Sequence, residues 1–166
     1  MCGIAGLFMP NKSLKKDWIK RMTDAEAHRG PDAGGHFISE DNKVALGHRR
    51  LSIVDLSNAA NQPMYSECAR YVMVFNGEVY NYLELAKKHQ LETKTTSDSE
   101  VVLELFELLG KDFVKELNGM FALSIYDTKE YSLKKRNLQD TTTKHGETRI
   151  TRTLFWPLDD ILSYFA

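Results

Sequence analysis

The segment Cys2–Met9 constrains the fold most strongly, because it is an apolar, glycine-containing run with a cysteine at its start. This pattern predicts a buried β-strand. A terminal strand that pairs within a sheet does not fray, so the sheet would fix the position of Cys2. With 166 residues, 42% hydrophobic and 27% charged, the chain has the size and composition of one globular domain, with or without an appendage.

Alternating helices and strands are predicted for the rest of residues 1–127. Apolar residues recur at helical spacing from Leu14 to Ala25 and stop before the Gly- and Pro-rich segment 28–35. Ser97 and Glu100 have the spacing of a capping box, which predicts that a helix starts there. The other predicted elements are a helix over 78–88 and strands over 36–39, 43–47, 70–75 and 120–126.

Charge and composition exclude several functional classes. The 22 Lys and Arg residues balance 23 Asp and Glu residues, which argues against binding to a nucleic-acid backbone. No apolar run approaches the roughly 20 residues of a membrane span, and the N-terminus lacks the features of a signal peptide. Cys2 and Cys68 form neither a disulfide framework nor a metal-ligand pattern. We therefore expect a cytoplasmic protein with no bound metal and no nucleic-acid or membrane partner.

Cys2 is a candidate nucleophile because removal of Met1 would make it the terminal residue, with a thiol and a free α-amine. An α-amine has a reference pKa of about 7.7–8.0, so it can act as a base near neutral pH. A thiolate is a strong nucleophile. The alternative is a small buried thiol near a terminus, which is the common role of a single cysteine.

Three further motifs carry groups that could contact a ligand. Asn76 and Gly77 end a strand, where they form either a turn or a pair of donors for an oxyanion. Arg50 could hold a carboxylate with two hydrogen bonds, or it could form a surface ion pair. Asp98 lies in the first turn of a predicted helix, where it interacts with the helix dipole or pairs with a ligand ammonium group.

Together these residues lie in motifs that resemble the class II glutamine amidotransferase domain, an N-terminal nucleophile hydrolase. The chain is most similar to the N-terminal glutaminase domain of asparagine synthetases, whereas the sugar-phosphate aminotransferase branch usually lacks RLSIVDLS. Each motif is modest alone, but their order over residues 1–127 is specific. The motifs are MCGIAGLF (1–8), HRGPDAGG (28–35), GHRRLSIVDLS (47–57), NQPM (61–64), VFNGEVYNYLEL (74–85), TSDSEVVLEL (96–105) and LNGMFALSIYD (117–127).

The resemblance implies an enzyme that hydrolyses glutamine to glutamate and ammonia through a thioester on the cysteine. It also implies a role for each matching position. Cys2 would be the nucleophile with its α-amine as the base, and Asn76 and Gly77 would form the oxyanion hole. The substrate would be held at its carboxylate by Arg50, at its α-ammonium by Asp98 and Glu78, and by backbone groups around Leu51 and Ile53.

The fold implied by the resemblance is α+β, a four-layer αββα sandwich of two antiparallel sheets. After Asp127 the family's arginine-rich aromatic motif is missing, and the segment 128–166 has a different, more basic composition. We therefore predict an amidotransferase domain over 1–127, incomplete at its C-terminal end. The segment 128–166 would be a divergent tail, either from a truncated or frame-shifted gene or specific to a short variant. Within this tail, Pro157 is placed to begin a short helix.

The synthetase domain and its SGGxDS pyrophosphate motif are also missing from this sequence. ATP and magnesium are expected only for that domain, so no cofactor is expected in this chain. The expected partners are glutamine and a synthetase-type domain or subunit that uses the ammonia. The alternative is a catalytically inactive fragment that binds glutamine or docks onto a partner.

Overall fold

The computed structural model describes residues 2–137 and 154–157, which form two four-stranded β-sheets and three α-helices. Sheet A has the strand order β2-β3-β1-β8. Its strands are β1 (Gly3–Phe8), β2 (Ala33–Ile38), β3 (Val44–Arg50) and β8 (Leu154–Pro157). The pairs β1–β3 and β2–β3 are antiparallel, whereas β8 pairs with β1 in parallel.

Sheet B is antiparallel throughout and has the strand order β4-β5-β6-β7. Its strands are β4 (Met64–Tyr65), β5 (Tyr71–Val79), β6 (Gly119–Asp127) and β7 (Ser132–Asn137). The long strands β5 and β6 pair along their full length, from Tyr71 opposite Asp127 to Val79 opposite Gly119. At the first of these ends, the Arg70 guanidinium makes hydrogen bonds of 2.7 to 3.1 Å to both oxygens of the buried Asp127 carboxylate.

The helices cover the outer faces of the two sheets. They are α1 (Lys16–Ala25), α2 (Tyr82–His89) and α3 (Asp98–Leu109). Gly110 ends α3 with a φ of 60°, a left-handed conformation that glycine adopts readily. No helix within the described residues is long and apolar enough to cross a bilayer.

Three buried clusters separate the layers of the molecule. One packs α1 against the outer face of sheet A and includes Leu7, Ile19 and Ala45. A second fills the space between the sheets with Ile4, Val44, Leu46, Val74, Ala122 and Tyr126. The largest cluster packs α2 and α3 against sheet B. The layer order is therefore helix, sheet, sheet, helix, which confirms the predicted α+β sandwich.

Several predicted elements have different limits in the structure. Strand β2 starts at Ala33 instead of His36, and β3 continues to Arg50 instead of ending at Gly47. The helix expected over 78–88 starts only at Tyr82, because Asn76, Gly77 and Glu78 continue β5 and pair with β6. Asn76-Gly77 is thus a strand segment, and neither a hairpin turn nor a strand-to-helix junction. Leu154–Pro157 forms a strand, and the helix expected after Pro157 lies outside the described residues.

The strand β7 extends sheet B beyond Asp127, since Ser132 pairs with Asp127 and Asn137 with Ala122. The sequence of this strand is basic and polar, with no alternation of apolar residues. The pairing with β6 places β7 directly after residue 127. The domain boundary at residue 127 stays a prediction.

We expect Leu103→Ala to destabilise the chain by about 3 kcal/mol, because the Leu103 side chain is fully buried between α3 and sheet B and its loss leaves a cavity. Urea unfolding followed by circular dichroism measures this change. Leu83→Ala is the control, since Leu83 lies on α2 with 67% of its surface exposed, and it should change stability by less than about 0.5 kcal/mol. Equal losses in the two variants would contradict the layer assignment.

Candidate active site

Side-chain alternation along the strands directs several of the predicted site residues towards the space between the two sheets. Side chains alternate between the two faces of a strand, so residues an even number of positions apart share a face. Cys2, Arg50 and Asn76 are each an even number of residues from an inter-sheet core residue, namely Ile4, Leu46 and Val74 respectively. Strands β1 and β3 both contact β5 across this space.

Cys2 precedes the first residue of β1 and is partly buried. Gly3 pairs with Arg49, so the same register carries Cys2 to the position opposite Arg50. The backbone N–H of Leu51 donates to Sγ of Cys2 at 3.4 Å, and Nε of Arg29 donates to the Cys2 carbonyl at 3.2 Å. The sheet and these two contacts fix both ends of the Cys2 residue.

Arg50, at the end of β3, is buried, which excludes the surface ion pair considered from the sequence. Its guanidinium donates to neutral oxygens: the Ser57 carbonyl at 2.7 Å, Oδ1 of Asn61 at 2.8 Å and the Asp55 carbonyl. Among the described residues, no carboxylate lies within ion-pair distance of it. Three of the five guanidinium N–H donors are used, which leaves Nε–H and one Nη2–H for a ligand.

The loop after Arg50 is tied to the segment that precedes α3. The Asp55 carboxylate accepts hydrogen bonds from the backbone N–H of Ser57 at 2.7 Å and of Thr96 at 2.9 Å. Hydrogen bonds from Ser57 and Thr96 hold the pKa of Asp55 well below its ordinary value. The side chain of Ile53, in the same loop, is 71% exposed.

Asn76 and Gly77 lie in the second half of β5. Asn76 is buried, and its Oδ1 has no hydrogen-bond partner within the described structure. Gly77 passes so close to β6 that an added Cβ would lie 2.2 Å from the Met120 carbonyl oxygen. A side chain at position 77 would therefore push β5 and β6 apart.

Asp98, the first residue of α3, is buried next to the end of β5. Its Oδ2 accepts a hydrogen bond of 2.9 Å from the backbone N–H of Val79. Burial raises the pKa of the Asp98 carboxyl, and the nearby Glu78 raises it further, while hydrogen bonds from Val79 and Ser99 oppose the shift. Glu78 itself is exposed, so the two acids present one buried and one solvated carboxylate.

The start of α3 differs in detail from the predicted capping box. Ser97 caps the helix by accepting from the N–H of Ser99 at 3.3 Å instead of from Glu100. The Glu100 carboxylate reaches back to the N–H groups of Lys94 at 2.9 Å and Thr95 at 2.7 Å. The helix therefore starts where the pattern predicted, but Glu100 holds the preceding loop and not the cap residue.

Two residues of the motifs, His48 and Gln62, contact the Phe75 peptide and were not predicted as site residues. Nε2 of His48 makes a hydrogen bond of 3.1 Å to the Phe75 carbonyl, and Oε1 of Gln62 accepts from the Phe75 N–H at 2.5 Å. Burial lowers the pKa of His48 to about 4, so its ring is neutral at physiological pH. Their only sequence signal was membership of GHRRLSIVDLS and NQPM.

The predicted site residues thus fall into two groups joined across the sheets. Cys2 and Arg50, with Leu51 and Ile53 in the loop after β3, form the group at sheet A. Asn76, Gly77, Glu78 and Asp98 form the group at the end of β5. The His48–Phe75 and Asp55–Thr96 hydrogen bonds connect the two groups. Within the described part of the chain, no cluster of three or more potential metal ligands is present.

The αββα layering, with Cys2 directly before its first strand, is the arrangement that the sequence resemblance implied. The family model described as "Glutamine amidotransferase domain" matches residues 1–137 of this chain. This match covers most of the sequence, and the chain belongs to that family.

Relatives with glutamine-hydrolyzing asparagine synthetase names match most of this chain. One from Methanocaldococcus jannaschii is 44% identical over 146 residues, covering 78% of this chain and 28% of the relative. Asparagine synthetase (glutamine-hydrolyzing) 1 of Bacillus subtilis is 38% identical, with coverages of 80% and 22%. Asparagine synthetase B of Escherichia coli is also 38% identical, with coverages of 78% and 24%. The chain therefore spans about a quarter of the length of these relatives.

The raised pKa of Asp98 predicts a pH-dependent effect of Asp98→Asn on stability. The folded state binds the Asp98 proton more tightly than the unfolded state, so the wild type loses stability as pH rises from the unfolded through the folded pKa. Asparagine does not titrate. The stability of Asp98→Asn relative to wild type, expressed as the free energy of unfolding of the variant minus that of wild type, should therefore be higher at pH 7 than at pH 3.5. Urea unfolding at the two pH values measures this difference.

Asp112→Asn is a control of opposite sign, because a hydrogen bond from Lys115 lowers the pKa of the exposed Asp112. The free energy of unfolding of Asp112→Asn minus that of wild type should be lower at pH 7 than at pH 3.5. A pH-independent effect of Asp98→Asn would contradict the assignment of Asp98 as a buried, destabilised carboxylate.

Proposed function

We propose that this chain is a glutaminase domain that hydrolyses the side-chain amide of glutamine through a thioester on Cys2. The observation that carries the proposal is the placement of Cys2 beside Arg50 and Leu51, at one end of the space between the sheets. Membership of the glutamine amidotransferase domain family supports it. The reaction requires only glutamine, water and residues of this chain, with no cofactor or metal.

In the proposed reaction, Sγ of Cys2 attacks the amide carbon of glutamine. Once the residue before it is removed, the α-amine of Cys2 accepts the thiol proton, directly or through a water, and passes it to the departing nitrogen. Ammonia leaves and a thioester forms. Water, deprotonated by the same amine, then attacks the thioester to release glutamate and regenerate the thiol.

Asn76 and Gly77 are the proposed oxyanion donors, through the Asn76 side-chain amide and the Gly77 backbone N–H. Such donors stabilise the charge that develops on the carbonyl oxygen when the tetrahedral intermediate forms. The burial of Asn76 and the tight approach of Gly77 to β6 support this role, because both hold the donors rigidly. Preorganised donors require little rearrangement during the reaction.

Arg50 and Asp98 are proposed to bind the two charged ends of the glutamine backbone. The substrate carboxylate would accept from Nε–H and Nη2–H of Arg50, which have no described acceptor. The α-ammonium would pair with Asp98 and Glu78, which also relieves the cost of burying the Asp98 charge. Backbone groups around Leu51 and Ile53 would complete the pocket.

The ammonia is proposed to serve asparagine synthesis. The support is that the relatives have glutamine-hydrolyzing asparagine synthetase names and are about four times longer than the matched region. A synthetase-type domain or subunit would supply the remaining chemistry and would hold any ATP and magnesium.

Cys2→Ala should reduce glutamate release by at least about 10³-fold, because the variant lacks the nucleophile. The measurement is glutamate formation from glutamine by the purified chain, with intact mass confirming loss of Met1. Cys68→Ala is the matched control, since Cys68 is the exposed cysteine near Ser66 and should be dispensable.

Three outcomes separate the alternatives. Equal turnover in wild type and Cys2→Ala would contradict the mechanism. Wild-type chain that has lost Met1, binds glutamine in calorimetry and shows no turnover would be the inactive glutamine-binding fragment. Chain that has lost Met1 and does not bind glutamine would contradict both the glutaminase and the glutamine-binding assignments.

Asp98→Asn should raise the KM for glutamine by about 10- to 100-fold, because one charge-assisted hydrogen bond to the α-ammonium is lost. Steady-state kinetics at pH 7 gives the change. Glu104→Gln is the control on the same helix, since burial also raises the pKa of Glu104 but no role at the site is proposed for it. A similar KM in Asp98→Asn and wild type would contradict the proposed contact between Asp98 and the α-ammonium group.

A further inference from the structure

The strand β4 stops before it can pair with the functional end of β5. Its register places Met64 opposite Met73 and Tyr65 opposite Val72, so continued pairing would bring Gln62 opposite Phe75. This pairing does not form, because β4 begins only at Met64. The N–H and C=O of Phe75, which point away from β6, therefore lack a strand partner at this edge.

Two side chains replace the missing strand. Oε1 of Gln62 accepts the Phe75 N–H at 2.5 Å, and Nε2 of His48 donates to the Phe75 carbonyl at 3.1 Å. Gln62 lies in the segment before β4, whereas His48 lies in β3 and its side chain extends from sheet A to sheet B. Both are buried. The Phe75 carbonyl belongs to the same peptide unit as the N–H of Asn76, so this pair of contacts fixes the backbone that carries Asn76.

We propose that His48 and Gln62 are positioning residues for the oxyanion site, holding the Phe75 peptide so that Asn76 and Gly77 face the reacting carbonyl. This inference rests on the proposed glutaminase function. A displacement of about 1 Å in a catalytic group can reduce a rate by about 10²-fold, so a fixed peptide at this position matters for turnover more than for substrate binding.

The buried ring of His48 is less stabilising at this position than an apolar side chain would be, which argues for a specific role. Because Nε2 faces a carbonyl, it carries the proton, and Nδ1 is left as an acceptor. Nδ1 is buried and has no partner in the described part of the chain. An unsatisfied buried polar atom destabilises the folded state, and an apolar side chain of similar size would avoid this loss. An apolar side chain could not donate the hydrogen bond that Nε2 of His48 makes to the Phe75 carbonyl.

Three variants of the full 166-residue chain test the inference. His48→Leu removes the donor, His48→Gln retains an amide N–H at the position of Nε2, and Val72→Ala is a control in β5 that removes buried methyl groups away from Phe75. We expect His48→Leu to lower kcat for glutamine hydrolysis by about 10- to 100-fold with KM within about threefold of wild type. His48→Gln should recover most of kcat, and Val72→Ala should affect neither parameter.

A KM increase without a kcat decrease in His48→Leu, or a kcat decrease equal to that in Val72→Ala, would overturn the inference. So would a His48→Gln variant no better than His48→Leu when both are folded, as judged by thermal unfolding.

Amide NMR at pH 7 provides a readout that does not depend on activity. The Asn76 and Gly77 amide signals should shift in His48→Leu and stay in place in Val72→Ala, and the ring nitrogen shifts of wild type should identify Nε2 as the protonated nitrogen. If wild-type chain lacking Met1 shows no turnover, the glutaminase proposal fails. The inference that His48 sets the Asn76 backbone would then stand if these signals shift and fall if they do not.

Discussion

The antiparallel pairing of β1 with β3 is the interaction on which the site depends. It places Gly3 opposite Arg49, and so Cys2 next to Arg50, with the side chains of both directed between the sheets. A slip of one residue would turn the Cys2 thiol towards α1 and move Ile4 out of the inter-sheet core. The two faces of β1 pack into different buried clusters, with Ile4 between the sheets and Ala5 and Leu7 towards α1, so core packing also fixes the position of the thiol.

Two buried ionisable side chains of opposite sign, Arg50 at the end of β3 and Asp98 at the start of α3, have no counter-ion among the described residues. Arg50 is held by neutral oxygens, and Asp98 by backbone N–H groups. Such charges are destabilising in a folded protein unless they are paired. An amino acid zwitterion would supply a carboxylate for Arg50 and an ammonium group for Asp98. Binding of the proposed substrate would therefore stabilise both buried charges.

Local patterning predicted most strands, α1 and the start of α3, because these elements follow from periodicity, glycine and proline. It was wrong about the limits of β5, since only pairing with β6 shows that Asn76, Gly77 and Glu78 remain extended. It placed Cys2, Arg50 and Asp98 in motifs but could not show that two of them face one space.

His48 and Gln62 were missed for a related reason. Their partner is a backbone peptide 27 and 13 residues away, and local sequence does not encode contacts of that kind. The same limit applies to β7, whose basic and polar sequence becomes a strand only because β6 offers it a partner.

The pairing of β1 has a consequence for the order of events during synthesis. Strand β1, which follows Cys2, is synthesised before its partner strand β3, because Arg49 lies 46 residues after Gly3. At about 5–20 residues per second, the terminus stays unpaired for roughly 2–10 seconds. During this interval whatever precedes Cys2 is open to a processing peptidase, whereas in the folded domain the same bond adjoins a paired strand. Removal of the residue before Cys2, which the proposed mechanism requires, would therefore be easier before β1 pairs with β3 than afterwards.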